Sequence, residues 1–341
     1  MSTIFYIIFS YICLASLIVF LSIKLSDYID QLDRKTNISS AFLGGVLLAI
    51  VTSLPELFTS ISSILFLNES GMVIGNIMGS NSFDILILGF CIIAFYKMYK
   101  NDNLEIKSHI IVLCGLVLMY ICLFIPLLIP SSCQPVLGPI NVFFIAIAII
   151  YVLVLWKMPK TVKDKDFGDD EKKEVCEVDN LKPELSVKQI VFRFVLCAIS
   201  LVAVSILITY TTSDIAKYFD LESSTAGALF LAIATSLPEV VSTIALCAKG
   251  NFDASFGNIL GSCLFNTFVL TLAELISFKS SILIPNDMAS LKLVVLNLVS
   301  VATCIVVVLL RKSKKEFKGT RIVNYLLASI LILAYLMYYM V

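Results

Sequence analysis

Ten long apolar stretches constrain the fold of this chain more than any other feature of its sequence. A helix that crosses a bilayer needs about 20 mainly apolar residues. Polar or charged breaks separate ten stretches of about that length, at residues 4–22, 41–66, 71–95, 109–129, 137–156, 189–211, 226–248, 254–278, 291–310 and 322–340. We therefore predict an all-α integral membrane protein with ten transmembrane helices, whose principal partner is the lipid bilayer.

The composition agrees with a membrane protein and excludes several other classes. Hydrophobic residues make up 59% of the chain and charged residues 15%, against roughly 45–50% and about 25% in soluble domains. These values exclude an ordinary soluble protein, a disordered chain and a nucleic-acid binder. The ten cysteines are scattered without a C-x-x-C pair, and His109 is the only histidine. The sequence therefore predicts no zinc site, no disulfide framework and no resident cofactor.

The basic residues predict the orientation of the chain, because Lys and Arg favour the cytoplasmic side of a membrane. Of the 25 basic residues, 22 lie in or at the edges of the odd-numbered loops and three at the even-numbered ones. This bias places both termini outside and the long central loop in the cytoplasm. The loop is rich in charges of both signs and predicts a solvated linker at 158–188, between five-helix halves at 1–157 and 189–341.

The two halves share an internal repeat. Residues 44–56 recur at 227–239 with 9 of 13 positions identical, and both copies end in Thr-Ser-Leu-Pro-Glu. Residues 75–84 recur at 257–266 with 6 of 10 identical, and both begin Gly-Asn-Ile-x-Gly-Ser. Five spans separate the copies, so equivalent helices cross the membrane in opposite directions. Inverted repeats of this kind are typical of secondary transporters, whose substrate site lies at the midplane between the repeats.

Glu56 and Glu239 stand at equivalent positions near the middle of their spans. An isolated carboxylate at that depth costs about 2.5–3.5 kcal/mol on insertion scales, so such residues indicate function. No Lys or Arg lies within the four repeat spans to form an ion pair with either acid. The preceding prolines, Pro55 and Pro238, cannot donate a backbone hydrogen bond and leave a carbonyl free about one turn earlier.

The spacing of the polar residues aligns further oxygen atoms with these acids. Thr52 and Ser53 precede Glu56 by four and three positions and share its helix face. Spacings of four also align two sets across the repeats: Asn76, Ser80 and Asp84, then Asn258, Ser262 and Asn266. Carboxylate, hydroxyl, amide and carbonyl oxygens select hard cations such as calcium or sodium. The formal charge of −3 can be offset by one divalent ion or by several monovalent ions at overlapping positions, as an exchanger requires.

These paired segments resemble the alpha repeats of the calcium/cation antiporter superfamily, and more narrowly those of prokaryotic sodium/calcium exchangers. The resemblance covers alpha repeats at about 41–95 and 226–278 closely and the five-plus-five layout throughout. It implies that calcium and sodium are the transported ions, by alternating access, and that the membrane is a prokaryotic inner or plasma membrane. The protein is then a transporter and not an enzyme, with no protein partner evident.

The resemblance also implies a ligand set. Calcium is expected to be coordinated by the carboxylates of Glu56 and Glu239 and by backbone oxygens of Thr52 and Thr235. Sodium is expected to be held by the hydroxyls of Ser53, Ser80, Ser236 and Ser262 and by the carbonyls of Ala49 and Ala232. Asp84 and Asn266 fall at a central position between the ion sites.

Two departures from the family pattern keep alternatives open. Cys263 stands where the first repeat has Asn81 and where asparagine is common in the family. The central acid is Asp84 of the first repeat, whereas an acid in the second repeat resembles potassium-dependent exchangers. Potassium-dependent and proton-coupled exchange therefore remain alternatives, although the Thr-Ser-x-Pro-Glu form favours sodium. A cation channel is a further, less favoured alternative. No Ser/His arrangement or metal-histidine motif supports a membrane hydrolase.

Overall fold

The computed structural model describes residues 2–36, 48–102, 104–138, 140–158, 185–248, 250–277, 281–284 and 287–312, with 326, 329–330, 332–333 and 335. Most of the predicted tenth span, 322–340, lies outside these residues. The beginning of the predicted span 41–66 and most of the predicted linker 158–188 also lie outside them.

The first half of the chain is helical apart from one short hairpin. Its helices are α1 (Ser2–Thr36), α2 (Leu48–Thr52), α3 (Leu54–Ser62) with a π-helical turn (Ser63–Leu67), α4 (Ser70–Ala94), α5 (Tyr96–Asn101), α6 (Ile106–Leu128) and α7 (Val142–Lys157). A 3-10 turn (Ser131–Cys133) precedes strands β1 (Val136–Leu137) and β2 (Ile140–Asn141), which pair antiparallel.

The described part of the second half is also helical. Its helices are α8 (Val187–Phe219), α9 (Ser223–Ala226) followed by a π-helical segment (Gly227–Leu231), α10 (Ala232–Ala248), α11 (Phe252–Ser277) and α12 (Met288–Lys312). Ser186 caps α8 by accepting a hydrogen bond from Gln189 N, and the Gln189 side chain bonds back to the backbone of Ser186. Such a reciprocal cap satisfies two backbone donors that the helix start leaves free.

Eight helical segments in the described part of the chain are long and apolar enough to cross a membrane, and α7 is a shorter apolar helix. These nine correspond to the first nine predicted spans, and they make the protein an integral membrane protein. The total of ten spans, their opposed directions and the placement of the termini remain predictions.

The helices that carry the repeated motifs form the centre of the bundle. The apolar windows of α4 and α11 are both 72% buried, the highest share among the eight candidate spans. α4 and α11 pack against each other, and α10 packs against both. By contrast, α1 and α8 pack mainly on one another along the outside, while α1 also contacts α10 and α8 contacts α3. The repeated segments therefore lie away from lipid, where polar side chains can be kept.

The structure corrects the sequence-based boundaries of three spans. The predicted span 137–156 begins five residues too early, because residues up to Asn141 belong to the β-hairpin. Asn141 then caps α7 by accepting a hydrogen bond from Phe143 N at 3.1 Å. The predicted spans 4–22 and 189–211 are too short, because α1 and α8 continue well beyond their apolar cores.

Candidate ion-binding site

The two acidic motifs fold differently around their prolines. In the first repeat the helix is interrupted at Ser53, which separates α2 from α3 and leaves Pro55 in the first turn of α3. Proline is tolerated there because the backbone N–H groups of the first turn have no acceptor within the helix, so the N–H that proline lacks is not missed. In the second repeat Pro238 lies inside the continuous helix α10. Both arrangements carry the glutamate that follows the proline into the interior, where Glu56 and Glu239 are fully buried.

Two serines contact each glutamate, one from each repeat. Glu56 Oε1 accepts hydrogen bonds from Ser80 and Ser236, both at 3.4 Å. Glu239 Oε1 accepts from Ser53 at 3.1 Å and from Ser262 at 3.4 Å. The two environments are therefore mirror equivalents, as the repeat predicts. The hydroxyls of Ser53 and Ser262, the two serines that contact Glu239, also lie 2.8 Å apart.

Asp84 and Asn266 join this cluster through a shared hydroxyl. Ser262 Oγ lies 3.5 Å from Asp84 Oδ2, and Asn266 Nδ2 lies 3.5 Å from the same Oγ. Both side chains are fully buried. Glu56 interacts electrostatically with both Asp84 and Glu239. The structure therefore brings three carboxylates and one amide into a single interior cluster, and Asp84 supplies the acid that has no acidic counterpart in the second repeat.

The carbonyl and threonine positions differ between the repeats. Ala232 O accepts from Ser80 Oγ at 3.4 Å and from Thr235 Oγ1 at 3.3 Å, so it contacts a serine of the cluster. Ala49 O accepts from Thr52 Oγ1 at 3.2 Å, which is a contact within one helix. Ten of the twelve sequence-derived site residues thus make contacts in two groups, while Thr52 and Ala49 lie beside them, one to two turns before Glu56. The first group is Glu56, Ser80, Ser236, Ala232 and Thr235, and the second is Glu239, Ser53, Ser262, Asp84 and Asn266.

Four oxygen atoms of the cluster are buried without a hydrogen-bond partner: Glu56 Oε2, Glu239 Oε2, Asp84 Oδ1 and Asn266 Oδ1. Buried polar atoms are normally paired, and unpaired ones call for an explanation. All four are acceptors, so a proton donor or a cation would satisfy them. Among the described residues no Lys or Arg is buried. The cluster therefore has the oxygen ligands that a hard cation prefers.

Two asparagines, Asn76 and Asn258, join neighbouring helices around the site. Their spacing in the sequence did not predict a role distinct from that of the other polar residues. Asn76 Nδ2 donates to the hydroxyls of Thr59 at 2.9 Å and Ser60 at 3.1 Å. In the second repeat, Asn258 Nδ2 donates to the hydroxyls of Ser242 at 2.9 Å and Thr243 at 3.1 Å. The Gly-Asn pair in each repeat was the signal, since each asparagine faces the polar residues one turn after the glutamate.

Comparison with known proteins assigns the family. The family model described as sodium/calcium exchanger protein matches residues 6–157 and 189–341, which are the two halves on either side of the predicted linker. The chain belongs to the sodium/calcium exchanger protein family. This match agrees with the resemblance of the two repeats to the calcium/cation antiporter superfamily.

Relatives of the family occur in bacteria and archaea. The chain is 24% identical over 347 residues to Sodium/calcium exchanger MaX1 of Methanosarcina acetivorans, covering 94% of this chain and 97% of that protein. It is 26% identical over 247 residues to Inner membrane protein YrbG of Escherichia coli K12, covering 72% of each. The similarity to MaX1 therefore extends along almost the whole chain.

Solved exchangers share the fold. The structure matches the H+/Ca2+ exchanger CAX with a TM-score of 0.63 at 15% identity, covering 98% of this chain and 87% of the other. It matches the sodium-calcium exchanger NCX_Mj with a TM-score of 0.56 at 20% identity, covering 95% and 96%. Because the same fold serves exchangers with different coupling ions, the fold alone leaves the coupling ion open.

Proposed function

We propose that this family member is a secondary active antiporter that exchanges calcium for sodium across a prokaryotic inner membrane by alternating access. The observation that carries the proposal is the set of four buried, unpartnered oxygen atoms on Glu56, Asp84, Glu239 and Asn266. A cation bound among them satisfies all four at once. The further ligands that we propose are those expected from the sequence: Ser53, Ser80, Ser236, Ser262, Thr52, Thr235, Ala49 and Ala232.

The charge of the cluster explains why transport is coupled. Three buried carboxylates without a basic partner repel one another strongly, because charges interact more strongly away from water. Closing the site to water on both sides therefore costs more free energy when it is empty than when it is loaded. One calcium ion offsets two charges, and sodium ions offset them one at a time. Overlapping positions make calcium and sodium mutually exclusive, which is the condition for exchange.

The serine hydroxyls support sodium as the coupling ion. Each glutamate has two serine oxygens within 3.4 Å of one carboxylate oxygen. A hydroxyl oxygen keeps lone pairs that can coordinate sodium, whereas a proton binds to the carboxylate alone. Proton-coupled and potassium-dependent exchange are the alternatives, and Asp84 supplies the third charge that either would use.

Reconstituted vesicles test the proposal. Vesicles loaded with sodium and diluted into sodium-free buffer should accumulate labelled calcium, while vesicles given a proton gradient or potassium in place of sodium should not. Glu56→Gln and Glu239→Gln should each abolish uptake. Uptake that persists in both variants contradicts the proposed site. Uptake driven by protons alone, or calcium flux that needs no counter-ion gradient, contradicts sodium exchange and indicates a proton exchanger or a channel, respectively.

Glu274→Gln is the matched control for the two glutamates. Glu274 is also a buried glutamate of a membrane helix, but both of its carboxylate oxygens are paired. Oε1 accepts from Asn141 N at 3.2 Å, and Oε2 accepts from Ile282 N at 2.8 Å. Loss of charge at Glu274 should leave sodium-driven uptake per folded molecule within about twofold of the unmodified protein, since paired oxygens are not available to an ion.

A further inference from the structure

Asn81 lies beside the proposed ion site and forms the centre of a buried hydrogen-bond network. Its Nδ2 is 3.0 Å from Tyr120 Oη, 3.2 Å from Cys263 O and 3.1 Å from Thr267 Oγ1. Its Oδ1 is 3.2 Å from Asn266 Nδ2. Asn81 is fully buried, and so are its side-chain partners Tyr120, Thr267 and Asn266. The network therefore joins α4 to α6 and α11 without contact with water.

The hydrogen-bond partners of Asn81 determine the positions of its NH2 group and its oxygen. Cys263 O is a backbone carbonyl and can only accept a hydrogen bond. Thr267 Oγ1 donates its single hydrogen to that same carbonyl at 2.7 Å, so it can only accept from Asn81. The side of Asn81 that faces them must therefore be its NH2 group. Its Oδ1 then points to Asn266.

The orientation of Asn266 follows from that of Asn81. Because Asn81 Oδ1 can only accept, the NH2 group of Asn266 must face it. The NH2 group of Asn266 also lies 3.5 Å from Ser262 Oγ, so its two hydrogens go to Asn81 and to Ser262. The oxygen of Asn266 is buried and has no hydrogen-bond partner. We infer that Asn81 is a positioning residue that engages the NH2 group of Asn266, so that the amide oxygen, and not the NH2 group, is free to bind the transported cation. The inference rests on the proposed function, since it assigns a cation to this site.

The asymmetry between the repeats supports the inference. Cys263 occupies the position in the second repeat that Asn81 occupies in the first. Its thiol contacts Asn81 O at 3.8 Å. By symmetry, Cys263 would orient Asp84, as Asn81 orients Asn266. A carboxylate presents an oxygen in either rotation and needs no orienting partner, whereas an amide does. The asparagine thus stands at the position that faces the amide, and the cysteine at the position that faces the acid.

Comparing Asn81→Leu in two backgrounds tests this role. The readout is thermal stabilisation of the purified protein by calcium chloride or by sodium chloride titrated against choline chloride. In the unmodified background, Asn81→Leu lets the NH2 group of Asn266 turn toward the acids. The half-saturating cation concentration should then rise about tenfold, as expected when a charge-assisted contact is lost. In an Asn266→Asp background the same substitution should leave that concentration unchanged or lower it, because Asn81 Oδ1 no longer faces a carboxylate.

The outcomes separate positioning from packing. An equal rise in both backgrounds, or no rise in either, overturns the inference. Tyr120→Phe is the matched control, because Cys263 O and Thr267 Oγ1 still fix the Asn81 amide; it should change the half-saturating concentration by less than about threefold. A rise as large as that of Asn81→Leu also overturns the inference. If Asn81→Leu does not fold, the shorter Asn81→Ser removes the same amide and takes its place.

Cation binding is measured here without transport, so the two proposals can fail separately. Absence of sodium-driven calcium uptake in vesicles, together with the expected pattern of cation stabilisation, contradicts the proposed exchange but upholds the role of Asn81. Sodium-driven uptake with cation affinities that do not depend on Asn81 supports the proposed exchange and contradicts the role of Asn81.

Discussion

Thr235 donates a hydrogen bond from Oγ1 to the side-chain oxygen of Asn76 across 3.3 Å, whereas Thr52 and Asn258, the corresponding pair of the other repeat, make no such bond. Both threonines contact the carbonyl three positions earlier in the chain, Ala49 O for Thr52 and Ala232 O for Thr235. Asn258 Oδ1, in contrast to the side-chain oxygen of Asn76, has no partner. The two repeats therefore have different conformations at equivalent positions. In a transporter built from inverted repeats, exchanging these two conformations exchanges the side on which the site opens.

This difference predicts unequal effects of two equivalent substitutions. Thr235→Val removes the hydroxyl that joins α10 to α4, which costs about 0.5–1.5 kcal/mol for one buried hydrogen bond. Hydrogen exchange in the adjacent segment Gly227–Leu231, followed by mass spectrometry, should accelerate up to about tenfold. Thr52→Val is the control and should leave exchange in that segment unchanged. Equal acceleration by both variants contradicts the asymmetry.

Asp84→Asn should affect the coupling ion more than calcium. The substitution removes one of three charges and leaves the two glutamates, which are sufficient to offset one calcium ion. The half-saturating calcium concentration for uptake should change by less than about threefold, and the sodium concentration that drives half-maximal uptake by about tenfold, which corresponds to roughly 1.4 kcal/mol. Ion titrations in vesicles measure both. Equal loss of calcium affinity and sodium dependence contradicts the central role of Asp84.

Gly75→Ala should destabilise the bundle, because Gly75 allows α4 to approach the other repeat closely. A Cβ atom at Gly75 would lie 2.0 Å from Ser224 O and 2.9 Å from Ala228 N. Overpacking of this kind costs about 1–3 kcal/mol. The loss should be visible as a lower midpoint of thermal unfolding in detergent.

The equivalent Gly257 is the control for this substitution. No described heavy atom lies within 4 Å of a Cβ placed there. Gly257→Ala should therefore be neutral or slightly stabilising, since alanine is favoured over glycine inside a helix by about 0.5–1 kcal/mol. If the two variants lower the unfolding midpoint equally, the tight approach at Gly75 is not what stabilises the interface.

Sequence periodicity predicted the helices of the bundle and most of the cluster for a physical reason. Residues three and four apart on a helix share a face, so Ser262 and Asn266 of α11, and likewise Ser80 and Asp84 of α4, lie on common faces. Ser53 is different, because the helix is interrupted there and its hydroxyl contacts Glu239. The repeat then related each to a residue of the other half. The cross-repeat contacts, such as Ser236 to Glu56, depend on how helices pack, and helical spacing alone does not determine them.

The orientation of the amide groups is even harder to predict from the sequence than the contacts between the repeats. The direction of the Asn266 amide depends on Asn81, and that of Asn81 depends on Thr267, one turn beyond Cys263 on another helix. Helix boundaries were missed for a related reason. Charged residues such as Asp214 and Lys217 mark the end of an apolar run, but α8 continues through them to Phe219 because an amphipathic end can still pack on the bundle.

Helices α1 and α8 are much longer than the hydrocarbon core of a membrane is thick, so their tilt is coupled to the surrounding lipid. At 1.5 Å per residue, these helices of 35 and 33 residues measure about 52 and 50 Å, whereas the hydrocarbon core is about 30 Å thick. They are also the two least buried of the eight candidate spans. Their tilt therefore determines how much of each helix the acyl chains must cover. Any movement of this pair against the bundle does work on the surrounding lipid, so bilayer thickness contributes to the barrier of the transport cycle.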